Sequence, residues 1–446
     1  IAALRPHVVN LRLGRFSTDG AMQTSPGDVD AIFHEHLPRA LEEARDRGEP
    51  LRLLFWAHGG LVSETSGLRG AHLLVEWWKR NRVYPVYFVW ETGLFETIAQ
   101  LLAGRRELAA ARGFSDVSDR VLEEVARRAG GPRIWGGMKY SAERSVGDDG
   151  GALYVARKLA AFCAEHGDAV ELHAVGHSAG SIFHSYFVPK ALELGAPRFR
   201  TLSFLAPAIR TDAFRDRFVP LLDGNGVDAL AVFTMRRELE LDDNCGTVYR
   251  KSLLYLIHHA LEAERRQPIL GLEVSLRGDP ELQRVFGLAG NEAAGGEVVW
   301  SRTSSETGRS ASRSRTHGGF DNDRATVESV LRRVLDAGDG DAIEPFPEEA
   351  ERSLAFDFTA EGGSMIGDSG FGQAEPVPAP DEEEAPGRPA AGRGGRKRAL
   401  CVGINAYPGD ARLNGCVADA RLWGRRLRAL GFEVEELLDG AATQAG

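Results

Sequence analysis

The run Gly176-His177-Ser178-Ala179-Gly180 sets a serine hydroxyl between two glycines at the point where an apolar strand gives way to a helix. Serine is a weak nucleophile by itself, and a sharp strand-to-helix turn of the form G-x-S-x-G presents its hydroxyl at the top of a sheet. The expected strand is Ala169 to Val175, and the expected helix carries Ile182, Phe183, Tyr186 and Phe187 at helical spacing. The flanking glycines have a steric reason: the apex residue is strained, and the close approach of strand to helix leaves room for little more than hydrogen. Acyl transfer at such a serine also needs a base, an acid that orients the base, and donors for the developing oxyanion.

Each part has a candidate. His317 follows the expected strand Val298 to Ser301 and precedes an expected helix, with Gly318 and Gly319 allowing a tight turn; it is the candidate base. Oxyanion donors are expected from the Ala179 amide and from the loop His58-Gly59-Gly60-Leu61 after the strand Leu51 to Ala57, where Gly59 and Gly60 can expose their N–H groups and Leu61 is a weaker candidate. The acid is expected after the strand Leu230 to Thr234, at Asp243 or Asp242, short side chains beside Asn244 and Gly246 in a turn; Glu238 and Glu240 share that stretch, and Asp212 is the alternative. His58 and His177 flank the site as positioning or hydrogen-bonding residues. His258 and His259 sit on an amphipathic helix as packing, and with no third ligand spaced near them they indicate no metal.

The positioning elements follow from periodicity. Short β-rich runs (Val8 to Leu13, Leu51 to Ala57, Val86 to Trp90, Val170 to Val175, Leu202 to Leu205, Leu230 to Thr234, Val298 to Ser301) alternate with helical stretches near 29–46, 68–81, 151–166, 181–194, 249–264 and 322–336. This is the pattern of an α/β domain with a mostly parallel sheet and helices on both faces. Residues 91–150 form an insertion with apolar positions Leu101, Leu102, Leu108, Val121, Leu122 and Val125, which either caps the site or packs to one side. Trp56, Trp77, Trp78 and Trp90 suit either an acyl chain or the core. Ser301 to Thr316 is Ser/Arg-rich, with no evident core face, and is expected to be mobile.

The elbow, the His-Gly-Gly loop and the late histidine, in this order, resemble the α/β-hydrolase superfamily over residues 1–345. The resemblance implies esterase or lipase-like hydrolysis of a small acyl or lipid ester by Ser178, His317 and an aspartate, without a cofactor. A serine peptidase or thioesterase differs in substrate alone. A module that keeps the fold but senses a ligand is the competing reading.

Residues 346–397 lose periodicity and read as a flexible linker, Pro/Glu-rich and then Gly/Arg-rich. Order is expected again over 398–446. There a strand through Leu400-Cys401-Val402-Gly403-Ile404-Asn405, the run Leu413-Asn414-Gly415-Cys416-Val417-Ala418-Asp419-Ala420, a helix with Leu422, Trp423, Leu427 and Leu430, and a strand Phe432 to Leu438 form a β-α-β unit. Gly-Ile-Asn-x-Tyr and Leu-x-Gly-Cys-x-x-Asp-Ala resemble the opening of caspase-like (metacaspase, peptidase C14) domains. In that family the catalytic His and Cys lie further along, so neither Cys401 nor Cys416 is expected to be the nucleophile. The resemblance also implies cleavage after Arg or Lys, which the linker offers at Arg388, Arg393, Arg396, Lys397 and Arg398; self-processing there is one expectation, a plain spacer the other.

Composition bounds the rest. A formal charge of −10 and a pI near 5.7 disfavour general nucleic-acid binding, which needs clustered cations. The four cysteines lack C-x-x-C spacing and fit reduced thiols in a cytoplasm. No apolar run reaches membrane-spanning length. The chain opens on Ile1 without a basic-then-apolar leader, and both ends read as truncated.

Overall fold

The computed structural model describes residues 1–60, 62–90, 119–245, 249–353, 398–403, 416–429 and 432–439. It divides into two compact units, Ile1–Gly370 and Phe371–Gly446. Leu61, Gly246, the insertion positions Leu101, Leu102 and Leu108, and nearly all of the expected linker lie outside the described residues.

The first unit is an α/β structure around one eight-stranded sheet: β1 (Val8–Arg12), β2 (Arg15–Phe16), β3 (Leu51–Ala57), β4 (Val83–Trp90), β5 (Val170–His177), β6 (Phe199–Leu205), β7 (Val227–Met235) and β8 (Gly296–Ser301). The order is β2-β1-β4-β3-β5-β6-β7-β8, parallel throughout except for the β1–β2 hairpin. A parallel sheet covered on both faces needs strands that are apolar on both sides. β4 is buried at every position. Its alternate residues divide between two cores: Tyr84, Val86, Phe88 and Trp90 join one, and Val83, Tyr87 and Val89 the other. The larger core lies under the helices Leu37–Asp46, Gly151–His166 and Gly180–Glu193, and the smaller under Glu64–Arg80 and Arg324–Leu335.

One open reading is decided, and two details depart from expectation. Trp56, Trp77, Trp78 and Trp90 are all core residues, each at most 3% exposed. The expected helix 249–264 is shorter, with helical turns from Leu253 to Leu261 only, because Cys245 and Tyr249 instead pair as an antiparallel bridge. The Ser301 to Thr316 stretch is held rather than loose: Ala311 and Ser312 are fully buried. Its hydroxyls supply the partners an apolar face would otherwise replace, with Ser301 Oγ donating to the Ser314 carbonyl at 2.5 Å, Ser312 Oγ 2.8 Å from Thr326 Oγ1, and Arg313 N–H donating to Asp323 at 2.8 Å.

In the second unit, β9 (Arg398–Gly403) and β10 (Glu433–Leu438) pair in parallel, with the helix Cys416–Ala429 between them in sequence and packed on both. Along β9, Cys401 is buried while Leu400 and Val402 are exposed, so the strand has one covered and one open face. Among the described residues, no helix is long and apolar enough to cross a membrane.

Two expectations follow. A Cβ on Gly180 would collide with the Ala57 carbonyl and stand 2.8 Å from Ala57 C, and one on Gly176 would stand 2.7 Å from Gly180 C. Backbone cannot give way as a side chain can, so Gly180→Ala is expected to cost about 3 kcal/mol or more in denaturant melts. Glu240 is fully buried on the helix Arg237–Asp242 that follows β7, and burial raises its pKa to about 8. The fold therefore favours its protonated form. That preference is fully expressed below the unfolded-chain value and is lost progressively until pH passes about 8. Stability of the first unit is expected to fall over this window by up to about 5 kcal/mol from this group, and Glu240→Gln to flatten the slope.

Candidate active site

Ser178 stands at the C-terminal end of β5 with φ +50°, a left-handed conformation that a non-glycine residue holds only when its surroundings impose it. The imposition is visible. Ser178 N–H donates to the Leu205 carbonyl at the end of β6 (2.8 Å), and the Ser178 carbonyl accepts from Ala208 N–H (3.0 Å) and Ser181 Oγ (2.6 Å). The helix Gly180–Glu193 starts at once, directing its N-terminal dipole toward the turn.

The His58-Gly59-Gly60 loop lies against this elbow. A Cβ on Gly59 would stand 3.2 Å from Ser178 Cβ, and one on Gly60 would stand 3.3 Å from Ala179 Cβ. Among the described residues, the amides of Gly59, Gly60 and Ala179 have no hydrogen-bond acceptor. His58 fixes the loop: its Nε2 accepts from Trp90 N–H at 3.1 Å, so Nδ1 carries the proton and donates to the Gly59 carbonyl at 2.7 Å. Burial pushes its pKa down to about 4, in keeping with this neutral tautomer.

His317 opens a short helical turn, His317–Gly319, and is 4% exposed. Its Nε2 lies 2.9 Å from Ser178 Oγ. Burial, reinforced by the neighbouring His177, holds the His317 pKa well below the ordinary value and keeps the ring neutral. Both main-chain polar groups of His317 are held by buried side chains. The N–H donates to Asp243 Oδ2 at 2.8 Å, and the carbonyl accepts from His177 Nε2 at 3.0 Å. The ring Nδ1 has no partner among the described residues.

Asp243 is thus brought to His317, at its backbone and not at its ring. Its other oxygen accepts from Asn244 N–H at 2.8 Å, and burial, partly offset by these two amides, raises its pKa to about 6. Asp242 is exposed on the last turn of the helix Arg237–Asp242 and is not brought to His317. Asp212 pairs with Arg210 and accepts from Ala213 N–H at 2.7 Å. His258 donates through Nδ1 to the Gln267 carbonyl (2.7 Å), and no metal-binding cluster occurs among the described residues.

Sequence reasoning gave no role to Asp321, four residues beyond His317, whose Oδ2 lies 3.2 Å from His177 Nδ1. The only signal was its place at the end of the Thr316-His317-Gly318-Gly319-Phe320-Asp321 run. The described part of the insertion lies close by. Met138, on the helix Gly131–Arg144, has its sulfur 2.8 Å from where a Cβ on Gly60 would sit. That helix is anchored by Trp135 Nε1 and Lys139 Nζ, which donate to the buried Glu262 carboxylate at 2.7 and 2.6 Å. The preceding helix, Asp119–Arg128, accepts the Tyr249 hydroxyl at Glu123 (2.7 Å).

Comparison with known proteins bears on the second unit. The family model described as the caspase domain (Peptidase C14) matches residues 396–445, so this segment is caspase-like. No curated protein and no solved structure matches the chain.

Proposed function

We propose that the first unit is a serine hydrolase of the α/β-hydrolase type that cleaves carboxylic esters, joined to a caspase-like segment. The observation that carries this reading is the 2.9 Å contact between His317 Nε2 and the hydroxyl of a serine held at φ +50°. In the proposed reaction His317 accepts the Ser178 proton as Oγ attacks the acyl carbon. The amides of Ala179 and of Gly59 or Gly60 receive the oxyanion, and the proton then passes to the leaving alcohol. Water, deprotonated by the same imidazole, releases the acyl group. Met138 over Gly60 supports a capping role for the insertion, in which case the cap must move for an ester to enter, since Ser178 is 2% exposed.

A second reading has its own observation. The closed serine and the unpartnered Nδ1 of His317 also suit a catalytically silent module that senses a ligand for the protease segment. Basic residues from Arg388 to Arg398 remain the proposed positions for self-processing; N-terminal sequencing of fragments from a chain with an active protease is expected to locate cuts there, and an uncut chain removes the idea.

Fluorophosphonate labelling of the full chain decides between hydrolase and silent module. Covalent labelling of wild type, lost in Ser178→Ala and reduced about 1,000-fold or more in His317→Ala, is expected of the hydrolase. Folded but unlabelled wild-type protein leaves the silent module. Because Asp243 grips the His317 amide and an asparagine oxygen can still accept that bond, Asp243→Asn is expected to slow labelling by no more than about tenfold. The acid limb of the pH–rate profile follows from the lowered His317 pKa: the base form persists below the ordinary histidine value, so activity is retained at pH 6 and is lost only when the pH falls through the depressed pKa.

A further inference from the structure

We propose that His177, held by Asp321, is a positioning residue that fixes the main chain of His317 and so sets the approach of its imidazole to Ser178. This rests on the serine-hydrolase reading. The usual device for orienting a catalytic imidazole is an acceptor on Nδ1, and His317 has none among the described residues. Its orientation must then come from the backbone that carries it. That backbone is gripped at both polar groups, by Asp243 at the N–H and by His177 at the carbonyl.

One hydrogen bond and one ion pair set the form of His177. Nε2 faces a carbonyl, so it carries a proton; Nδ1 makes no hydrogen bond among the described residues but stands 3.2 Å from the Asp321 carboxylate, an ion-pair separation at which a lone pair would be repelled. Both nitrogens are therefore protonated. Burial alone would drive a proton off this ring, but the Asp321 charge outweighs it and the net pKa is raised. The charged and titratable groups around the ring are Asp321 on the turn that follows His317, His317 itself with ring centroids 5.7 Å apart, and the neutral His58 on the oxyanion loop. The His177 Nδ1 is also 3.7 Å from where a Cβ on Gly59 would sit, so one side chain sits between the base loop and the oxyanion loop. Being adjacent to Ser178 in sequence, it ties both to the nucleophile.

The test uses the full chain, fluorophosphonate labelling rates and thermal melts. His177→Leu removes the donor, and the freed turn is expected to lower the rate about 100-fold. His177→Gln keeps an N–H near the Nε2 position without charge and is expected to recover to within about threefold of wild type, with Asp321→Asn between the two. Folded His177→Leu labelling at the wild-type rate overturns the proposal, as does folded His177→Gln labelling as slowly as His177→Leu; either leaves the hydrolase reading intact. Should His177→Leu not fold, the His177→Gln and Asp321→Asn rates carry the comparison. Unlabelled wild type instead removes the hydrolase reading and this proposal with it. Independently of activity, ¹⁵N-histidine NMR of Ser178→Ala is expected to find both His177 ring nitrogens protonated at neutral pH, and one of them deprotonated in Ser178→Ala/Asp321→Asn; a neutral His177 ring in the first overturns the proposal.

Discussion

The left-handed backbone of Ser178 is the constraint from which the rest of the first unit can be understood. A non-glycine residue at φ +50° is unfavourable by roughly 1–2 kcal/mol, and it persists because its N–H and carbonyl are taken by Leu205 and Ala208 of the neighbouring strand end. Those bonds require β5 and β6 to lie in register, which in turn requires the sheet to be buried on both faces. Gly176 and Gly180 let strand and helix approach closely enough for the turn to close. Sheet, turn and hydroxyl position are thus one structure.

Around that turn lies a largely buried polar network, in which unpaired groups are costly; the His317 Nδ1 is one that stays without a partner among the described residues. Asp321, His177, the His317 main chain and Asp243 are linked in succession, with His177, His317 and Asp243 buried and Asp321 half-buried. A buried charge is tolerated when an opposite charge and hydrogen bonds meet it. Here the cation is His177, the anion facing it is Asp321, and Asp243 is met by two amides. His317 is left neutral between them, the state a proton acceptor requires.

The caspase-like segment has a different physical status. Among the described residues, its two parallel strands and one helix leave Leu400, Val402 and Trp423 exposed. A two-stranded sheet is marginal by itself.

Periodicity and steric necessity made much of the first unit legible from sequence. β3 to β7 are largely buried apolar runs, so their existence and parallel arrangement follow from burial on both faces. The elbow, the His-Gly-Gly loop and His317 are local patterns, and their chain order was readable. What sequence left open was decided by contacts between residues distant in the chain. Asp242 and Asp243 are equivalent in composition; only the end of the helix Arg237–Asp242 exposes one and buries the other beside a histidine 74 residues away. The Ser/Arg-rich stretch looked coreless because its burial is satisfied by hydroxyls, which hydrophobic periodicity does not register. Asp321 and His177 acquire their relation only when the turn after β8 folds over β5. Local stereochemistry therefore determined where Ser178 must stand, while tertiary packing alone decided which acid and which second histidine would meet His317, because hydrogen bonds between distant residues leave no period in the sequence.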